Sequence, residues 1–82
     1  MQQAIENTVR YIIERYLSAP GRYITSDDTL LRDYDDSYGD FDDYRNKIIT
    51  ELNTQELTLT KHPNSSPEQF GAIGNLWLVE TV

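Results

Sequence analysis

All eight aspartates of this 82-residue chain lie between positions 27 and 43. They are Asp27, Asp28, Asp33, Asp35, Asp36, Asp40, Asp42 and Asp43, and Arg32 is the single base among them. The stretch therefore carries −7, the net charge of the whole protein, because the glutamates elsewhere are matched by lysines and arginines. Carboxylates at this density could serve acid–base catalysis, cation ligation, or imitation of a phosphate backbone. The plain alternative is a solvated helix face with acids near helix N-termini, where the macrodipole favours them. That accounts for Asp27, Asp28, Asp40, Asp42 and Asp43 one at a time. It leaves the missing lysines unexplained, since uncompensated like charges repel and destabilise a compact state.

Cation ligation fails on spacing. In an EF-hand loop begun at Asp33, the ligand positions would be Asp33, Asp35 and Ser37. The turn glycine then falls on Tyr38 and the bidentate glutamate on Tyr44, leaving only an irregular, weak divalent site. His62 is the one histidine, without a cysteine or second histidine to build a zinc site, and reads as a surface loop residue. Mutually exposed aspartates do not make a pocket, so no enzymatic activity, metal or cofactor is expected.

Imitation of nucleic acid fits better. Residues 33, 36, 40 and 43 would form one stripe if a helix continued through them, with carboxylates several ångströms apart at ~1.5 Å rise per residue. That is the order of phosphate spacing along a DNA strand. Aspartate loses less rotamer freedom than glutamate when held. The candidate binding set is Asp33, Asp35, Asp36, Asp40, Asp42 and Asp43, with Tyr34, Tyr38 and Tyr44 supplying contact area, as tyrosine often does in interfaces. In character this resembles the small acidic DNA-mimic inhibitors of phages and mobile elements, of anti-restriction or anti-CRISPR type. The resemblance implies a basic nucleic-acid-binding protein as partner and no direct contact with nucleic acid.

The elements that must position these residues follow from periodicity. Residues 2–18 read as an amphipathic helix, with Ile5, Val9, Ile12, Ile13, Tyr16 and Leu17 inward. Glu6, Arg10, Glu14 and Arg15 lie outward, the first three at four-residue spacing. Pro20-Gly21 stops this helix. Tyr23-Ile24 is a short extended piece, and Thr25 or Ser26 can cap a second helix, Asp28 completing a capping box with Thr25. At ~100° per residue, Leu30, Leu31, Tyr34, Tyr38, Phe41, Tyr44, Ile48, Ile49 and Leu52 share an arc of about 140°. Asp27 is the one aspartate inside that arc. Ser37-Tyr38-Gly39-Asp40 are poor helix formers. They predict a break between helices near 26–35 and 40–53, one bent helix being the alternative. Leu57 and Leu59 alternate with threonines as a strand does, and Leu76-Trp77-Leu78-Val79 is a second strand, with Trp77 expected in the core. Two prolines mark the long loop between them.

The predicted fold is a single α+β domain over 1–82, three helices followed by a C-terminal β-hairpin. This order resembles the winged helix-turn-helix fold. The resemblance implies DNA binding through helix 40–53, with Arg45, Lys47 and Lys61 as the bases and Arg22 nearby, as in a transcription regulator. The chemistry opposes that use, because Asp40, Asp42 and Asp43 would face the phosphates. A third alternative is an assembly subunit that homodimerises through the tyrosine stripe. A net charge of −7 disfavours anionic membranes as well as nucleic acid. With no cysteine, no basic leader and no apolar run of membrane-spanning length, a cytoplasmic location is expected.

Overall fold

The structure is a computed structural model that describes residues 2–35, 39–62 and 75–82. Its elements in chain order are α1 (Gln2–Ser18), β1 (Tyr23–Ser26), α2 (Asp27–Leu31), α3 (Phe41–Asn53), β2 (Leu57–Lys61) and β3 (Leu76–Thr81). The domain is α+β, with three helices against a three-stranded antiparallel sheet. The predicted two-stranded hairpin is thus incomplete. The extended piece expected at 23–24 runs on to Ser26 and pairs with β3, so the strand order is β1-β3-β2.

α1 has the bounds its periodicity predicts. Ile5, Val9 and Ile12 are buried, and Ile13 and Tyr16 pack at the edge of the same core. Leu17, expected inward, is instead 72% exposed. At ~100° per residue Leu17 lies about 120° around the helix from Ile5, beyond the buried stripe, whereas the Tyr16 hydroxyl beside it reaches the sheet and shares a hydrogen bond with Thr81 at 3.0 Å. Gly21, at φ +78°, makes the turn into β1 in a conformation that a side chain would strain.

The sheet shows why its apolar residues alternate. β2 and β3 pair Leu57 with Thr81, Leu59 with Val79 and Lys61 with Trp77. Successive side chains point to opposite faces. Leu57, Leu59, Trp77 and Val79 are therefore buried on one face, where Tyr44, Ile48 and Leu52 of α3 join the core. Trp77 is 5% exposed, as expected.

The middle of the chain departs from expectation. Two helices form there, but α2 ends at Leu31 and spans only five residues. Leu30 is its buried anchor, while Leu31 is 40% exposed. Ser26 occupies the N-cap position without a side-chain cap bond. The residue belongs to β1, and the helix start is instead held by Asp27, whose backbone N–H donates to the Asn75 carbonyl at 3.0 Å. From Arg32 to Asp40 the described residues are non-helical. The expected loop at 62–67 lies outside the described residues from position 63 on. His62, its first residue, is half-buried against Tyr23, ring centroids 4.3 Å apart, rather than a free surface residue.

Candidate functional site

The break after α2 divides the aspartates into groups with different work. Asp27 lies at the first position of α2 and faces inward. Its Oδ1 accepts the Trp77 indole N–H at 2.7 Å, and its Oδ2 accepts the Asn75 side-chain amide at 2.9 Å. It joins α2 to β3 across the sheet edge.

Asp33 also turns inward. Its Oδ2 accepts the Thr8 hydroxyl at 3.1 Å and a longer contact from Arg32 at 3.4 Å. Thr8, fully buried on α1, shares a second hydrogen bond with the Tyr44 hydroxyl at 3.1 Å. This chain of three polar side chains ties the loop and α3 to α1. Arg32, the one base of the acidic stretch, is held on α1 as well. Its guanidinium carbon sits 4.2 Å from the Tyr11 ring centroid, and its Nη2 reaches the Asn7 carbonyl at 3.4 Å.

Two expected binding residues are therefore corrected. Tyr44 is wholly buried and offers no contact area to a partner or to a dimer. It fell in the apolar arc because it belongs to the core, and its hydroxyl is satisfied there by Thr8. Asp33 is engaged by Thr8 and Arg32, with its side chain only 26% exposed. It is not on a helix, so no continuous helical stripe through 33, 36, 40 and 43 exists. Asp36 and Tyr38 lie outside the described residues.

Tyr34 is half-buried. Its ring meets Phe41 edge-on at 5.6 Å and Tyr44 at 5.3 Å, and its hydroxyl donates to the Gly39 carbonyl. Gly39, at φ +103°, takes a conformation just before α3 that a side chain would strain. Its conformation delivers Asp40 to the helix start.

Four of the remaining acids lie at or just before that start, while Asp28 is exposed in the first turn of α2. Asp40 is the N-cap of α3, its Oδ1 accepting the Asp42 backbone N–H at 2.7 Å. Asp42 and Asp43 fill the first turn with side chains 71% and 59% exposed. Asp35 is exposed on the incoming loop. Asp42 pairs with Arg45 at 2.9 Å, and Asp43 with Lys47 at 3.5 Å. Arg45 also lies 5.3 Å from the Trp77 ring centroid. Of the bases assigned to the regulator alternative, Arg45 is thus held by Asp42 and Trp77, and Lys47 by Asp43. Lys61 is exposed on β2.

Sequence reasoning missed the internal roles of Asp27 and Asp33. A signal for the first was present, because an aspartate inside an apolar arc needs buried donors. A weaker one marked the second: Thr8 lies between Ile5 and Ile12 on the inward face of α1 and needs a partner. Among the described residues, no three histidine, cysteine or acidic side chains form a group that could hold a metal. None of the described helices is long and apolar enough to cross a membrane. In comparisons with known proteins, no family model, curated protein or solved structure matches the chain.

Proposed function

We propose that this chain is a non-enzymatic, winged-helix-like interaction domain of the cytoplasm. It acts as a DNA mimic that occupies a basic nucleic-acid-binding surface on a partner protein. One observation carries the proposal: Asp40, Asp42 and Asp43 are exposed together at the first turn of α3. A winged-helix protein presents the same end of the same helix to the major groove. The helix, strand, helix, helix, strand, strand order supports that scaffold, as does the pairing of β1 with β3. Asp35 extends the negative surface, while Asp27 and Asp33 serve the fold.

The ion pairs to Arg45 and Lys47 do not remove this surface. Pairs this exposed are worth about 0–1 kcal/mol. A partner's arginines can displace them while gaining charge-assisted hydrogen bonds of their own. Nucleic acid itself is repelled by the same face.

The test is capture from a host lysate on the immobilised chain, followed by washing with duplex DNA. The expected outcome is a nucleic-acid-binding protein that is retained at low salt and released by DNA. A low-salt gel shift separates the regulator alternative. Duplex binding by the chain itself that weakens in Arg45→Ala and Lys47→Ala would favour the regulator and refute the mimic.

A further inference from the structure

A second acidic surface lies apart from the aspartates. Beside the contact of α1 with α3, an open groove of about 280 Å³ is lined by Val9 and Ile13. Glu6 and Glu14 on α1 and Glu51 on α3 also line it, with Arg10 as the only base. Arg10 is four residues from each of the α1 glutamates, a spacing that permits ion pairs. Yet none of these four side chains makes an ion pair among the described residues. Five of the aspartates, Asp27, Asp33, Asp40, Asp42 and Asp43, differ in that the side chain is engaged by a hydrogen bond or an ion pair. In the groove, three carboxylates without an ion pair among the described residues surround Ile13 and the edge of Val9.

We propose that this groove is the docking site of a basic amphipathic helix from a partner protein. Its aliphatic residues would cover Val9 and Ile13, and its lysines or arginines would meet Glu6, Glu14 and Glu51. Each half of the site needs one half of that chemistry. An anionic ligand is opposed by three carboxylates against one guanidinium. A purely polar basic segment leaves the half-buried Ile13 and the exposed edge of Val9 uncovered. The volume falls just below the ~300–1,000 Å³ usual for small-molecule pockets, and a shallow groove between two helices suits side chains projecting from a third. Glu51 lies about 12 Å along α3 from Asp43 at 1.5 Å per residue. The groove is thus a separate surface, and the inference does not rest on the mimic.

Titration of the isotope-labelled chain with a synthetic leucine–lysine amphipathic peptide, followed by amide chemical shifts, tests this directly. Shift changes are expected at Val9, Ile13 and Glu51, with smaller ones at Asp40, Asp42 and Asp43. The triple variant Glu6→Gln, Glu14→Gln, Glu51→Gln changes partly or fully exposed side chains and should fold normally. It should bind the peptide about tenfold more weakly, the sum of three exposed ion pairs. A serine–lysine peptide of equal charge should bind at least as poorly. The proposal is overturned if the shifts map to residues 40–43, if the triple variant binds equally well, or if the serine–lysine peptide matches the leucine one. Self-association of the chain through this face in sedimentation would also overturn it, since a second copy would then be the occupant.

Discussion

Asp27 and Asp42 each stand in the first turn of a helix, and by local rules they are the same residue. The structure uses them in opposite ways. Asp27 is half-buried and holds an indole N–H and a side-chain amide from β3. Asp42 projects into solvent, its carboxylate paired with Arg45 one turn along the same helix. The acidic stretch therefore has an inner half that assembles the fold and an outer half that the fold barely needs. A block of like charge in a sequence need not be a single functional object.

This division predicts a graded series of stability changes, readable by urea denaturation. The largest belongs to Asp27→Ala, which leaves the Trp77 N–H without its acceptor at the α2–β3 junction. Buried donors without partners cost about 1–3 kcal/mol, and bonds to a charged acceptor fall in the upper part of that range. A loss under about 0.5 kcal/mol would erase the distinction between inner and outer aspartates.

Thr8→Val comes next. Its near-isosteric side chain fills the site but withdraws the hydroxyl between Tyr44 and Asp33. Tyr44 is wholly buried, and losing its hydrogen bond to Thr8 should cost about 1 kcal/mol. If the variant matched wild type, the polar chain from α1 to α3 would not be a structural tie.

Asp40→Ala sharpens the boundary, because Asp40 belongs to both halves. Losing the cap of α3 should cost about 1 kcal/mol, whereas Asp40→Asn should be close to neutral, asparagine being an equally good cap. The smallest effect is expected for Asp42→Asn with Asp43→Asn, within about 0.5 kcal/mol of wild type, since exposed ion pairs contribute little. A larger loss would place these residues with the inner group.

The sequence made the framework legible where a single period dominated. α1 has the bounds expected from its apolar spacing, and β2 and β3 contain the predicted alternating residues. It was least legible where periodicity overran local structure. The apolar arc of residues 30–52 kept helical phase across a segment whose described parts are not helical. α2 stops at Leu31, and two bonds to α1 hold the chain beyond it, Thr8 to Asp33 and Arg32 to the Asn7 carbonyl. Those long-range bonds leave no periodic trace. Of the candidate site, Asp40, Asp42 and Asp43 were legible as a cluster at a helix start. Tyr44 was misassigned because tyrosine's interface preference was weighed above its place in the apolar arc. The groove glutamates were placed correctly on the outer side of α1. Their relation to Glu51 required the packing of α1 on α3.

The most direct test combines the two halves in one variant, Asp40→Asn, Asp42→Asn, Asp43→Asn. It keeps the helix cap, removes three charges from the α3 start, and leaves Asp27 and Asp33 untouched. The measurement is capture of the DNA-displaceable partner by this variant and by wild type at equal, verified stability. The account predicts an unchanged urea midpoint and loss of the captured protein. Retention of that protein at wild-type levels by a stably folded variant would contradict it.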